Sequence, residues 1–419
     1  MLHTKSKVTP CLTEYDLRID TMGKRATKID NIALKRRIDL SLTYTNIVTF
    51  AAVSVFLPYV LTAIVLTFLA VYIIANKYTR QLIFVHEGSF LLKIFFGYIL
   101  ILPVIYHNWM GLFVGVGIIM ASVIGLFMRS VMTRELYERT LHMVCALSLT
   151  STGYALIEFI LNLILDGRHS HRIASVFSHP NYFGTMTGMI LIICAYKLLT
   201  GQESKLFYTV VGTANVISMY LCKSMFVWIE VFVGVTVLLI VFKKFRLLAV
   251  WLTAAAAGAA CIFLLNLNLI PRLSDADDTL NIRLQIWELA VRQIKESPWF
   301  GHGFMSFSYV YHAAYHGNLI PHSHSIYLDM LLNFGIVGTV LFLLFLGRYY
   351  LTLLKSRFED KNIVITGLIL AVTAAALVHG TTDLTLLWIQ TFPLFLLIAS
   401  GLGADEKNGR YHINTDCFF

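Results

Sequence analysis

The chain has 419 residues, of which 57% are hydrophobic and 14% charged, and its mean hydropathy is +0.72. A soluble domain carries about 25% charged residues, so this composition excludes an ordinary soluble protein. The formal net charge is +9, but the basic residues are dispersed without aromatic interleaving, which argues against a nucleic-acid partner.

The first 40 residues are polar and basic and contain no apolar stretch typical of a cleavable signal peptide. Beyond them, apolar segments predict an all-α integral membrane protein, since about 20 apolar residues cross a bilayer. The twelve predicted spans are residues 44–58, 60–76, 88–106, 109–128, 140–163, 181–199, 206–221, 224–242, 246–267, 325–347, 362–382 and 386–402. The first two are interrupted near Pro58 and form either two short spans or one kinked span.

Lysine and arginine predict the orientation, because they concentrate on the cytoplasmic side. With both termini in the cytoplasm, 24 of the 33 lie inside and seven outside. The predicted organisation is a basic cytoplasmic tail (1–43), nine helices (44–267), a long extracytoplasmic loop (268–324), three helices (325–403) and a cytoplasmic tail (404–419). None of the six cysteines lies in the long loop, so neither a disulfide framework nor a cysteine metal site is expected.

A first outward loop lies between the fifth and sixth spans and contains Arg172 and the run His179-Pro180-Asn181. Pro180 favours an extended His179, and Asn181 is a candidate cap for the next helix. Arg172 has two interpretations. It belongs to an interfacial loop with snorkelling side chains, or it contacts an anion at the outer face.

In the long loop, residues 279–297 predict an amphipathic helix that ends before Pro298. Its apolar stripe is Leu280, Leu284, Trp287, Val291 and Ile294, and Glu288 and Arg292 form an i,i+4 pair. Arg283 falls in the first turn, where a cation opposes the helix dipole. Together with the free backbone N–H groups of that turn, however, its guanidinium would suit a bound anion. Alternatively, Arg283 pairs with an aspartate of the same segment, Asp275, Asp277 or Asp278.

The same loop contains five histidines, His302, His312, His316, His322 and His324. These histidines have three interpretations. His312 and His316, with helical spacing, could form part of a metal site. Otherwise the histidines are ordinary polar loop residues, or one of them is a catalytic imidazole at the mouth of the tenth span. Imidazole has an ordinary pKa of about 6.5 and accepts a proton from a hydroxyl near neutral pH.

Ionisable side chains within membrane segments mark function by default. The main ones are Lys93, Glu158, Glu230, Asp329 and Asp383. Lys93 and Asp383 lie near span ends, where they can snorkel, whereas Asp329 follows His324 closely enough to orient its imidazole.

His324-Ser325, nine further residues and then Gly335-Ile336-Val337-Gly338 resemble the signature of the O-antigen ligase and polymerase superfamily. Arg172 before His179-Pro180-Asn181, Arg283 at a helix start and Lys223-Ser224 before a span also resemble this family. The resemblance covers roughly residues 140–350.

The resemblance implies a metal-independent, cofactor-free, inverting glycosyltransferase of the GT-C type in the bacterial cytoplasmic membrane. Its donor would be a glycan on undecaprenyl diphosphate, and its acceptor a lipid- or glycan-linked hydroxyl at the outer face. Arg172 and Arg283 would hold the diphosphate and His324 would act as general base, although His322 remains an alternative imidazole. The supporting residues would be His322, Ser325, Gly335, Gly338, Asn181 and Lys223. No residue in the sequence distinguishes a ligase from a polymerase.

The competing class is a transporter or flippase of lipid-linked sugars. Transporters place their sites at mid-bilayer in broken helices and often have repeated halves. Here the polar residues converge on the outer loops, and the two halves show no evident repeat, which favours the glycosyltransferase.

Overall fold

The computed structural model describes residues 42–84, 89–166, 171–201, 204–265, 276–315, 318–359 and 363–406. The chain forms two compact units, Met1–Val48 and Thr49–Phe419. The described residues of the first unit, 42–48, are helical. The candidate site lies in the second unit.

The second unit is almost entirely helical. Its elements follow α1 (residues 42–54): α2 (Tyr59–Ala75), α3 (Lys77–Ile83), α4 (Ser89–Ile105), α5 (Trp109–Val131), α6 (Arg134–Asp166), α7 (Pro180–Thr200), α8 (Lys205–Cys222), α9 (Met225–Val241), α10 (Phe245–Leu264), α11 (Ala276–Glu296), α12 (Ser306–Tyr309), β1 (Ala314–Tyr315), β2 (Asn318–Leu319), α13 (Ile326–Glu359), α14 (Ile363–His379), a 3-10 turn (Thr385–Leu387), α15 (Thr391–Ala399) and α16 (Leu402–Glu406). The two short strands pair antiparallel.

Each of the twelve predicted segments contains a helix. Among the described residues, five helices are long and apolar enough to cross a membrane, or six if the bent pair α2 and α3 is one span. Four further apolar helices are shorter, so the number of twelve spans stays a prediction. The first apolar run is broken as proposed, because α2 begins directly after Pro58.

Among these candidate spans, α7 is the central helix. In the most apolar stretch of α7, 78% of the residues are buried, whereas none are buried in the corresponding stretch of α10. It packs against α6, α8, α9 and α14. The start of α7 therefore meets the ends of several other helices, and that end of the bundle holds the candidate site.

A break at Gly335 divides α13. Gly335 has φ 61° and ψ −169°, a conformation that is essentially restricted to glycine. The break turns the N–H groups of Ile336 and Val337 towards the carbonyls of Pro298 and Trp299, at 2.8 and 3.0 Å. The segment that follows α11 is thereby docked into the side of α13.

Gly338 supports the same contact from the next turn. A Cβ at this position would lie 2.4 Å from the ring of Tyr98. The hydroxyl oxygen of Tyr98 lies 2.7 Å from the carbonyl oxygens of both Phe300 and Phe334, and its one proton can be donated to either. Both glycines of the predicted signature therefore serve backbone packing.

The amphipathic helix α11 differs in two ways from its prediction. It begins at Ala276, so Arg283 lies about two turns inside the helix. The helix dipole acts mainly on the first turn and therefore has little effect on Arg283. The predicted stripe forms the protein contact only in part, since Ile294 packs against the cluster of Ile286, Ala290 and Leu332, while Leu280, Leu284 and Val291 are exposed. An apolar face towards lipid and one towards protein look alike in a sequence. The predicted pair of Glu288 and Arg292 is confirmed, at 3.7 Å.

We expect Gly335→Ala to destabilise the protein. The backbone conformation alone costs about 1–3 kcal/mol for other residues, and the new Cβ would lie 2.4 Å from the Trp299 backbone. Thermal unfolding in detergent should show a clear loss of melting temperature. Gly347→Ala in the same helix is the control, because nothing lies within 4 Å of its Cβ position. Equal melting temperatures for the two variants would contradict this account of the break.

Candidate functional site

A cavity of about 280 Å³ opens at the end of the bundle where α7, α9 and α11 begin and α14 ends. Its lining comes from segments far apart in the sequence. These residues are Arg172, His179, Asn181, Ser224, Met225, Phe226, Thr279, Ile282, Arg283, Ile286, His324, His379 and Asp383. The structure thus brings Arg172, Arg283, Asn181 and His324, all predicted as site residues, to one cavity.

Asp383 joins these groups. It lies in the turn after α14, residues 380–384, which we call the α14 turn, and it is buried. Its Oδ2 accepts a 2.6 Å hydrogen bond from Asn181 Nδ2, and its Oδ1 lies 3.3 Å from His324 Nδ1. The Leu384 N–H also donates to Oδ1, at 2.8 Å. Burial alone would raise the pKa of Asp383, but the hydrogen bond from His324 and the nearby imidazole charges hold it below its ordinary value. Asp383 is therefore an anchored carboxylate, and its expected snorkelling is wrong.

Arg172 lies against the start of α7. Its Nη2 donates to Oδ1 of Asn181, and its Nε donates to the Cys222 carbonyl at 3.2 Å. The loop around it is fixed by Glu158 of α6, whose carboxylate accepts from the Ser175 N–H at 2.7 Å. This explains the charge of Glu158 within an apolar helix, and it holds Arg172 at the cavity.

Asn181 does not cap α7 as expected. The helix begins at Pro180 and His179 is its N-cap, with the extended backbone that Pro180 predicts, φ −151° and ψ 141°. The cap hydrogen bond runs from the Asn181 N–H to His179 Nδ1, at 3.2 Å. The Asn181 side chain is thereby available to bridge Arg172 and Asp383. Burial and the charge of Arg172 lower the pKa of His179, which favours its neutral form.

Arg283 reaches the cavity from α11. Its Nη1 donates to the carbonyl of Thr382 in the α14 turn, and its guanidinium lies 5.3 Å from the centre of the Phe226 ring. Of the aspartates proposed as partners, Asp275 and the side chain of Asp277 lie outside the described residues. Arg283 is thus linked to the turn that carries Asp383.

His324 has a left-handed backbone, with φ 56°, which is unusual for a residue other than glycine. Its side chain is 30% exposed, while that of Asp383 is 7% exposed. The expected partner Asp329 is directed elsewhere, since its Oδ1 accepts from the Ser323 N–H at 3.1 Å. Asp383 therefore orients this imidazole, and Asp329 shapes the loop before α13.

His322 packs its ring against that of His324, with the centroids 4.5 Å apart. Its Nδ1 accepts the His324 N–H at 3.2 Å, which assigns the proton of a neutral His322 to Nε2. Burial, followed by the charge of His324, lowers its pKa to about 4. His322 is therefore neutral at physiological pH and supports the backbone of His324.

The remaining predicted supporting residues do not line the cavity. Lys223 caps the end of α8 with a left-handed backbone, and burial together with Arg172 lowers its pKa. Ser325 is buried at the start of α13, and its carbonyl accepts from the Ser323 hydroxyl at 3.1 Å. Gly335 and Gly338 dock the segment after α11. These four positions shape the surroundings of the site.

The alternative of a metal site built on His312 and His316 is wrong in its premise. His312 lies outside any helix and β1 follows it, so the two do not have helical spacing, while His316 lies outside the described residues. A different group has ligand atoms within 4.8 Å of one another, namely His322, His324 and Asp383. This group could hold a divalent cation through two nitrogens and one oxygen.

Asp383 and His379 are two ionisable cavity residues that the sequence did not assign to the site. Asp383 stood out as a charge within an apolar segment, yet its partners lie 59 and 202 positions away in the chain. His379 ends α14 and gave no signal, because a single histidine at a helix end is common.

The sequence of residues 210–343 matches the family model described as O-antigen ligase. The matched segment includes Arg283, His324, Gly335 and Gly338, whereas Arg172 and Asp383 lie outside it. It confirms the predicted resemblance to the O-antigen ligase and polymerase superfamily. A comparison with curated proteins gave no match.

Because the folded pKa of His322, about 4, lies below its ordinary value of 6.5, the unfolded chain takes up the proton first. The stability that His322 contributes is complete above pH 6.5 and is lost as the pH falls towards 4. We expect His322→Asn, which retains an acceptor for the His324 N–H, to lose less melting temperature than the wild type between pH 7 and pH 5. His312→Asn, at an exposed position, is the control and should follow the wild type. Parallel pH profiles for all three proteins would contradict the assignment.

Proposed function

We propose that this protein is a glycosyltransferase of the bacterial cytoplasmic membrane. It transfers a glycan from undecaprenyl diphosphate to an acceptor hydroxyl at the outer face, as a ligase or polymerase of surface polysaccharide biosynthesis. The observation that carries the proposal is the meeting of Arg172, Arg283 and His324 at one cavity, with Asp383 behind the imidazole. The family match of residues 210–343 supports the same chemistry.

The two arginines suit the diphosphate. A guanidinium presents N–H donors in a planar fork that matches phosphate oxygens. Arg172 and Arg283 enter the cavity from different elements, and each is fixed by a hydrogen bond to the protein, so neither must be ordered when substrate binds. Their charges stabilise the negative charge that develops as the diphosphate leaves.

His324 suits the role of general base. Its Nδ1 faces Asp383, so that Nε2 is the ring nitrogen left to accept a proton from the acceptor hydroxyl. The hydroxyl oxygen then attacks the anomeric carbon, and the bond to the diphosphate oxygen breaks with its electron pair on the leaving group. Attack opposite the leaving group inverts the anomeric centre. Asp383 stabilises the imidazolium until it releases its proton to water.

His322 is less suited to this role. In its neutral form Nδ1 is occupied by the His324 N–H and Nε2 carries the proton, so neither nitrogen is a ready acceptor. We therefore assign the base to His324 and a supporting role to His322. The reaction as written needs neither a metal nor a cofactor.

The first test uses the protein purified in lipid nanodiscs, with lipid-linked glycan extracted from host cells that lack this gene. Wild type should produce lengthened or transferred glycan, and His324→Ala should reduce turnover by about 100-fold or more, since general-base catalysis contributes ~10²–10⁴. Products are read by gel and mass spectrometry. A ladder from the donor alone identifies a polymerase, and product formed after addition of a separate acceptor identifies a ligase.

Two outcomes would contradict the proposal. Movement of the lipid-linked glycan across the bilayer of sealed proteoliposomes, without covalent transfer, would favour the transporter. Turnover that is lost with EDTA and restored by zinc would assign His322, His324 and Asp383 to a metal site instead.

Arg283→Lys provides a separate test of diphosphate binding. A point charge replaces a fork, so we expect turnover to fall at least ~10-fold. Arg292→Lys is the matched control on the same helix, because Arg292 is 67% exposed and pairs with Glu288. Both variants should be compared in steady-state assays with donor varied. If Arg283→Lys is as active as Arg292→Lys, Arg283 does not bind the diphosphate.

A further inference from the structure

A second imidazole–carboxylate pair lies between α9 and α14. Nδ1 of His379 is 2.6 Å from Oε2 of Glu230, and both side chains are buried. Removing charged groups from water is costly, and replacing such a pair by apolar residues is often neutral or stabilising. Its presence in an apolar bundle therefore points to a role other than stability.

The surroundings fit this pair closely. A Cβ on Gly188 of α7 would lie 3.0 Å from the Glu230 carboxylate, so the glycine makes room for it. The hydroxyl of Thr185 lies 3.3 Å from His379 Nδ1 and donates to the Thr385 hydroxyl at 2.7 Å. Oε1 of Glu230 is buried and has no hydrogen-bond partner within the part of the chain that the structure describes. The imidazole is thus held on its Nδ1 side.

His379 directly precedes the α14 turn, and that turn holds the other site groups. The Gly380 carbonyl accepts from the N–H of Ile326, two residues after His324, at 2.8 Å. The Thr382 carbonyl accepts from Arg283, and the Asp383 N–H donates to the His379 carbonyl at 3.2 Å. A displacement of His379 would therefore be passed to Arg283, Asp383 and His324 together.

We propose that Glu230 and His379 are positioning residues that fix the α14 turn, and through it the relative places of Arg283 and His324. This inference rests on the proposed function for its effect on catalysis. The part of the inference that concerns the conformation of the α14 turn can be tested without measuring catalysis. Misplacement of a reacting group by about 1 Å can cost ~100-fold in rate, so a small movement of the turn suffices.

Two substitutions of Glu230 separate its hydrogen bond from its volume. Glu230→Gln retains an oxygen that accepts from His379, and it should keep kcat within about threefold of wild type. Glu230→Leu fills a similar volume without an acceptor, and it should lower kcat at least ~10-fold with little change in melting temperature. Undecaprenyl diphosphate should protect the protein against thermal unfolding. Between wild type and Glu230→Leu, this protection should change less than kcat does.

Hydrogen exchange of the α14 turn, followed by mass spectrometry, is the readout that needs no activity. Glu230→Leu should increase exchange in peptides covering residues 380–384, and Glu230→Gln should not. The matched control is Glu138→Leu with Lys197→Leu, which removes another ion pair, at 2.8 Å, between buried Lys197 and partly buried Glu138. Lys197 lies 12 positions after Thr185 and nine after Gly188 in α7, so it is roughly 14–18 Å along the helix axis from the residues that contact the His379 pair. This control should leave both the exchange of the turn and kcat unchanged.

The outcomes decide the two proposals separately. Unchanged exchange of the turn in Glu230→Leu overturns the inference, even if kcat falls. Increased exchange with wild-type kcat also overturns it, because the turn would then not position the reacting groups. If wild type itself transfers no glycan, the proposed function fails, and the exchange data still decide whether the pair holds the turn. Should Glu230→Leu fail to fold, the double variant with His379→Leu, which leaves no unpaired partner, takes its place in every measurement.

Discussion

The buried carboxylate of Asp383 is the constraint around which the site is organised. An ionised group inside an apolar bundle must be surrounded by hydrogen-bond donors, because its loss of hydration is otherwise prohibitive. Here the donors come from Asn181, His324 and the Leu384 backbone. Satisfying one charge therefore brings the start of α7, the loop before α13 and the α14 turn to one point.

The same arrangement divides the histidines by function. His179 and His322 use Nδ1 as an acceptor for backbone N–H groups, which commits them to neutral, structural forms. His324 instead meets a carboxylate and remains partly exposed. The three imidazoles at this end of the bundle thus differ in the partners that hold them, since His179 and His322 accept backbone N–H groups and His324 meets a carboxylate.

The sequence singled out the polar residues of the loops before α7 and α13 and of helix α11, but not the contacts between them. Arg172, Arg283 and His324 are conspicuous in a chain with few charges, and the structure places them at one cavity. The partner of His324 was predicted from proximity in sequence, as Asp329, whereas the packing of α14 supplies Asp383. The exposed and core-facing sides of α11 could not be separated either, because both carry apolar residues.

The spacing between His324 and the two glycines has a physical explanation in the fold. His324 precedes α13, and the break at Gly335 docks the segment that follows α11. Helix α11 carries Arg283 and also packs on α13 through Ile286 and Ala290. The helix length between His324 and Gly335 therefore fixes His324, the proposed base, relative to Arg283. A glycine that lies away from the cavity can in this way belong to the same signature as a residue that lines it.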